Sequence, residues 1–253
     1  MKLALVTAGF HRVGAVIAAR LAEAGWTLAL HSRAPTMPDA DLSTLLQLHQ
    51  TQWHGFVADL ADGAACAALL QQVIQHFGKT PDLVVNNASL FEWDDARSVD
   101  QAGLVAHFTV NTAAPVILAS ELARAMLPGG RGVVVNILDQ RIRHPSGDQL
   151  SYTLSKQALA GATETLARAL APQIRVNAVA PGLVLPTDDY LPAQMSALAA
   201  MMPLARLAEP DDVADAVLWL AGAEATTGQT IFVDGGASLK SFDRDFLFLG
   251  DQT

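Results

Sequence analysis

Seven short apolar runs alternate with segments of helical periodicity along the chain, and this alternation limits the fold more than any other feature of the sequence. The runs cover residues 3–7, 27–31, 55–58, 83–86, 132–138, 175–180 and 230–233. Between them, residues 13–24, 64–77, 105–126, 152–170 and 213–221 carry apolar side chains at helical spacing. Parallel strands need a crossover between them, and a helix is the usual one. The pattern therefore predicts an α/β fold, doubly wound, with a mostly parallel seven-stranded sheet flanked by helices. Of the residues, 51% are hydrophobic and 16% charged, as strands buried on both faces require. No Pro/Gly/Ser linker, composition shift or internal repeat divides the chain, so a single domain spanning residues 1–253 is expected.

The formal net charge of -9 argues against nucleic acid and anionic membranes as partners, because both are met by Lys and Arg. One cysteine, Cys66, precludes an intrachain disulfide and fits a reducing cytoplasm; among small apolar neighbours it reads as an inert buried thiol. The apolar start at residues 1–6 stops at Thr7, with His11 and Arg12 following, too soon for a secretory signal. No run approaches the roughly 18 apolar residues of a membrane span. A cytoplasmic protein acting on a small molecule is expected, with no metal site.

In doubly wound sheets, ligands sit beyond the carboxyl ends of the strands, near the point where the strand order reverses. After the first run comes Thr7-Ala8-Gly9-Phe10-His11-Arg12-Val13-Gly14, a strand-to-helix turn of the kind that aims backbone N–H groups at a pyrophosphate. After the second, His31-Ser32-Arg33 holds no carboxylate for a ribose diol. Two guanidiniums, Arg12 and Arg33, with a hydroxyl suit the 2′-phosphate of NADPH instead. Asp59, after the third run, is placed to accept from an adenine amino group, and either it or Asp62 to cap the next helix. Asn86-Asn87-Ala88-Ser89 forms a tight polar turn after the fourth.

Tyr152 and Lys156 lie four residues apart on one helical face, in a chain with only two tyrosines and four lysines. A neighbouring ammonium stabilises a phenolate, which would lower the tyrosine pKa and make Tyr152 a general acid for reduction. Asp139, just past the fifth run, is positioned to hold a proton if burial raises its pKa, or to pair with Arg141 or Arg143. Asn111, an amide among apolar helical neighbours, reads as a core hydrogen-bonder or part of a proton relay.

Taken in order, these positions resemble the short-chain dehydrogenase/reductase family over residues 2–237. Thr7 to Gly14, Asp59, Asn86-Asn87-Ala88, Asn111, Tyr152 with Lys156, Arg175-Val176-Asn177-Ala178-Val179-Ala180-Pro181-Gly182 and Asp234-Gly235-Gly236 carry the likeness. The resemblance implies a Rossmann-type fold and a homotetramer. It also implies cofactor contacts from Thr7, Gly9, His11, Arg12, Val13, Gly14, His31, Ser32, Arg33, Asp59 and Leu60. Asn87, Ala88, Ser89, Tyr152, Lys156, Pro181, Gly182 and Val184 complete that set. Catalysis would fall to Tyr152, Lys156, Asp139 and Asn111.

Three departures narrow the likeness. Ala8 and Arg12 stand where the family usually has its motif glycines, and Asp139 where it has a catalytic serine. With Asn87-Ala88-Ser89-Leu90-Phe91, Pro181-Gly182-Leu183-Val184 and Asp188-Asp189, they are similar to pteridine reductases and dihydromonapterin reductases. In those, the positions of Ser89 and Phe91 line the substrate slot. Beside Asp139 and Tyr152, this implies reduction of a C=N bond in a pterin or folate, with residues 186–203 covering the substrate. The alternatives are reduction of a ketone, sugar or acyl carbonyl, and a non-catalytic NADPH-sensing module. Residues 238–253 form a tail too apolar to hang free and are expected to pack on a neighbouring subunit.

Overall fold

The computed structural model describes residues 1–185 and 190–250. Seven strands form one sheet in the order β3-β2-β1-β4-β5-β6-β7. They are β1 (Leu3–Val6), β2 (Thr27–Ser32), β3 (Trp53–Val57), β4 (Leu83–Asn86), β5 (Gly132–Ile137), β6 (Ile174–Pro181) and β7 (Thr230–Val233). Every pairing is parallel, so the expected "mostly parallel" sheet is wholly so: successive strands are joined by crossovers and none by a hairpin.

The crossovers carry helices α1 (Arg12–Glu23), α2 (Ala40–Leu48), α3 (Gly63–Phe77), α4 (Gln101–Phe108), α5 (Ala114–Ala125), α6 (Leu150–Leu170), α7 (Pro192–Met201) and α8 (Pro210–Gly222). Helix α2 and α7 are additions to the sequence reading. They are short, and α7 is apolar without a single preferred side. The segment expected as one helix over 105–126 is instead α4, a π-helical turn at Thr109–Ala113, and α5. Pro115 has no N–H to give the carbonyl four residues back, at Asn111, and the ladder shifts there, with Ala114 donating to Thr109.

Side-chain alternation along β1 shows how the core divides. Ala4 and Val6 face one side of the sheet, packing with Ile17 and Leu21 of α1 and Val213 and Val217 of α8. Leu3 and Leu5 face the other, with Leu69 and Val73 of α3 and Leu118 and Leu122 of α5. The stretch Gln101–Ala125 has the length and composition to span a membrane. Here its Leu118, Ala119 and Leu122 belong to that second core layer.

The described part of the tail, expected to pack on a neighbouring subunit, also packs on its own chain. Phe246 is buried with Leu198 and Met202, and the Gln194 amide on α7 donates to the carbonyls of Phe246, Leu247 and Leu249. Asp188 and Asp189, with the rest of 186–189, lie outside the described residues.

Candidate active site

Strand order reverses between β1 and β4, and the turns leaving these strands lock one another. Buried Thr7 donates through Oγ1 to the Val85 carbonyl and accepts the N–H groups of Asn87 and Ala88, both at 2.9 Å. Asn87 Nδ2 returns to the carbonyls of Thr7 and Ala8 at 3.0 and 3.2 Å. Helix α1 starts from this lock with His11 at its N-cap, no side-chain cap and no acid in its first turn. The first-turn N–H groups are thus left for an anion.

Above the turn lies a cavity of about 350 Å³, lined by Arg12, Ser32, Arg33, Gly14 and Asn87 among others, with no carboxylate. Arg12 and Arg33 are both exposed. This donor set fits a phosphorylated dinucleotide, whose 2′-phosphate two guanidiniums and the Ser32 hydroxyl would hold. Ser32 Oγ donates locally to Ala34, and the His11 ring meets Thr36. Val13 packs on the core below. A second cavity of about 420 Å³ continues along β2 and β3, walled by Leu60, Ala88 and Leu90, with Asp59 at its edge. Asp62, not Asp59, caps α3.

His31 is placed differently from expectation. It is 2% exposed, and both ring nitrogens are engaged, one accepting from Ala8 N–H and the other meeting the Ala58 carbonyl. Burial lowers its pKa. The ring borders the second cavity, but its polar atoms tie the first turn to the ends of β2 and β3 and are not free for a phosphate.

At the catalytic end, α6 brings Tyr152 beneath the turn that follows β5. The Tyr152 hydroxyl donates to Asp139 Oδ2 at 3.1 Å. Asp139 Oδ1 accepts from the Arg141 N–H at 2.9 Å and from its Nε at 3.2 Å. Of the two options read from sequence, pairing with Arg141 is the one realised; Arg143 instead lies over the Phe232 ring. Lys156 is buried and donates from Nζ to the Ile137 carbonyl at 2.8 Å, with Nζ 5.6 Å from the Tyr152 ring centroid. Burial lowers its pKa to about 8. Burial, with Asp139, pushes the Tyr152 phenol well above its usual range, against Arg141. That direction is the reverse of what the lysine pairing alone implies, because burial and the near carboxylate outweigh the Arg141 guanidinium. It keeps Tyr152 protonated, which a proton donor needs.

The π-turn turns the Asn111 side chain toward residues 89–90. Its Oδ1 accepts from Leu90 N–H and Ser89 Oγ, and its Nδ2 donates to the Leu90 carbonyl and Ser155 Oγ. None of these bonds reaches Tyr152 or Lys156, so the amide acts as a brace between the β4 turn and α6.

Beyond Tyr152 opens a cavity of about 750 Å³ lined by Arg12, Phe91, Trp93, Asp139, Gln140, Arg141, Gln149, Gly182, Leu183, Leu185, Tyr190 and Asp245 to Phe248. The Phe91 ring stands perpendicular to Tyr152 at 4.7 Å and is half exposed into the space. Trp93 meets Phe248 edge-on at 5.3 Å. Pro181 and Gly182 leave β6 at this rim, and a Cβ on Gly182 would come within 2.9 Å of the Asp234 backbone. Val184 packs against the core beside them.

The sequence model for enoyl-(acyl carrier protein) reductases matches residues 10–238. The chain belongs to the short-chain dehydrogenase/reductase family. Family members of unlike activity resemble it to similar degrees. The FolM alternative dihydrofolate reductase 1 of Brucella suis, crystallised in complex with NADP, superposes with a TM-score of 0.83. It is 35% identical, with 97% of this chain and 98% of that one covered. A putative ketoacyl reductase of the granaticin polyketide synthase of Streptomyces violaceoruber is 32% identical over 94% of this chain and 96% of its own. An uncharacterized oxidoreductase of Mycobacterium tuberculosis is 33% identical over 96% and 94%.

The site also has walls that the sequence reading did not assign, Trp93, Gln149 and the tail residues 245–248, while Tyr190 belongs to the segment 186–203 expected to cover the substrate. One signal for them was present. Trp93 follows Phe91 by two residues, and the tail carries three phenylalanines, of which Phe246 and Phe248 share one 3₁₀ turn.

Proposed function

We propose that the chain reduces a C=N bond of a dihydropterin- or dihydrofolate-type substrate with hydride from NADPH. The observation that carries this reading is the Asp139–Tyr152 hydrogen bond at 3.1 Å, whose Asp139 lines a cavity walled also by Phe91 and Trp93. A flat heterocycle fits between aromatic walls, and its ring nitrogen needs a proton as the adjacent carbon is reduced. The likeness to a FolM dihydrofolate reductase bound to NADP supports both substrate class and cofactor.

NADPH, when bound, supplies the hydride. Arg12, Ser32 and Arg33 would hold its 2′-phosphate, and the first turn at Gly9 to Gly14 its pyrophosphate. Asp59 and Leu60 would meet the adenine, with Asn87, Ala88 and Ser89 along the path between. Lys156 would bind the nicotinamide ribose, and Pro181, Gly182 and Val184 would border its ring. Tyr152 gives its proton to the substrate nitrogen. Asp139 aims that hydroxyl and accepts from N–H groups on the substrate's edge. Phe91 stacks the substrate, and Ser89, braced by Asn111, borders it.

Carbonyl reduction is the second reading, favoured by the ketoacyl reductase relative and by a Tyr152–Lys156 pair that serves either acceptor. The deciding assay follows NADPH oxidation with dihydrobiopterin, dihydromonapterin and dihydrofolate beside a ketone and aldehyde panel. Turnover of pterins alone supports the first reading. Turnover of carbonyls alone overturns it and leaves the Tyr152 role intact.

A further inference from the structure

The Arg141 guanidinium joins three segments at the candidate active site. Its Nε bonds Asp139 after β5, and its Nη1 bonds Gln149 Oε1, at the N-cap of α6, at 2.9 Å. Its Nη2 bonds Asp245 Oδ2, in the C-terminal tail, at 2.8 Å. The side chain is only 11% exposed, and its carbon Cζ lies 5.1 Å from the Tyr152 ring centroid. A guanidinium can serve three acceptors in one plane, which a lysine ammonium cannot do in that geometry. A buried cation of this kind needs compensating anions, and it has two: Asp139, which touches the Tyr152 hydroxyl, and Asp245, 104 residues further along the chain.

Asp245 is itself fixed from both sides. Its N–H donates to buried Asp148, its Oδ1 caps Leu247, and Arg244 pairs with Asp148 from outside. With Gln194 holding the carbonyls of Phe246, Leu247 and Leu249, the tail forms a wall of the cavity and brings a carboxylate to it.

We propose that Arg141 is the positioning residue of the Asp139–Tyr152 pair, and that Asp245 makes the C-terminal tail part of the active site by balancing the Arg141 charge. The inference rests on Tyr152 being the proton donor, but on no particular substrate. The charged groups facing Tyr152 are Asp139 and Arg141 from the turn after β5, Lys156 from α6 and Asp245 from the tail. Arg12 lines the same cavity, and Asp148 with Arg244 forms the next layer out.

Two variants move this balance in opposite directions. Asp245→Asn keeps shape and the backbone contacts but removes an anion, so the phenolate of Tyr152 becomes easier to form. Arg141→Met removes the cation and makes it harder. Each variant is checked for fold by circular dichroism and for NADPH binding by cofactor fluorescence. The high-pH limb of kcat, on whichever acceptor the panel identifies, is then expected to move down in Asp245→Asn and up in Arg141→Met. In both, kcat falls by about ten-fold or more, with NADPH affinity held within about two-fold. Ultraviolet phenolate absorbance in a Tyr190→Phe background, where Tyr152 is the sole tyrosine, reads the same shifts without substrate. Failure of the pterin assignment is thereby separated from failure of this proposal.

If Arg141→Met does not fold, Asp245→Asn decides alone. A downward shift upholds the proposal. An unchanged limb, or a shift of the same sign in both variants, overturns it and leaves Arg141 a structural staple.

Discussion

The carboxamide of Asn87 occupies the space that a side chain on Gly14 would need in the cofactor turn. A Cβ on Gly14 would stand 2.7 Å from Asn87 Nδ2 and 2.1 Å from the Ala8 carbonyl oxygen. Neither neighbour can yield, because Nδ2 is bonded to the carbonyls of both Thr7 and Ala8. Gly14→Ala is therefore expected to cost about 1–3 kcal/mol of stability. It should weaken NADPH binding more than a core substitution of equal cost would. Urea unfolding and fluorescence titration of the cofactor give the two numbers.

Ala8 and Arg12 sit in left-handed backbone, at φ of 50° and 55°, where the family's usual glycines carry no penalty. Ala8→Gly and Arg12→Gly should each relieve about 1 kcal/mol of strain, read as a rise in the unfolding midpoint. They part company on binding. Ala8→Gly should leave NADPH affinity near its starting value. Arg12→Gly should lower it by about ten-fold or more, through loss of a charge-assisted phosphate contact.

Tyr152→Phe removes the hydroxyl that donates to Asp139 and keeps the ring that packs against Phe91. Turnover should fall by about 10²–10⁴, the usual worth of a positioned proton donor, while NADPH binding changes little. Equal loss of both would refute the assignment. Asp139→Ser then separates the substrate readings. If the acceptor is a C=N bond, activity is lost; if it is a carbonyl, serine preserves it.

The buried pair also makes stability depend on pH. Lys156 has a folded pKa of about 8 against an ordinary value of 10.5, so the unfolded chain binds more protons between these limits. Stability from this group rises with pH across that window. Tyr152 is raised in the folded state, so above about pH 10 the folded chain binds more protons and stability falls again. Urea midpoints should climb from pH 8 toward pH 10 and then drop. In Lys156→Met the climb should disappear; its persistence would assign it to another group.

Cys66 illustrates how far a sequence reading can reach without geometry. Small apolar neighbours marked it as inert, and the structure buries it on α3 with its thiol pushed up to about 11, chiefly by desolvation. The seven strands were legible for a similar reason, with β4 and β7 at the bounds read from the sequence. Their ends elsewhere moved by one or two residues, because strand termini depend on the neighbouring strand. The π-turn was not legible, although Pro115 marks the place, since proline is also tolerated in the first turn of an ordinary helix.

Periodicity and i,i+4 spacing are properties of the local backbone. The sequence alone therefore determined the alternating architecture, the Tyr152–Lys156 face and the basic end of β2. Which side chains satisfy one another across the fold was decided only by tertiary structure. His31 turned inward to bridge two strand ends, Asp139 took Arg141, and Asp245 reached the same guanidinium from the tail. No local rule links residues 104 positions apart: a buried guanidinium takes whatever carboxylates the packing of distant segments brings within reach.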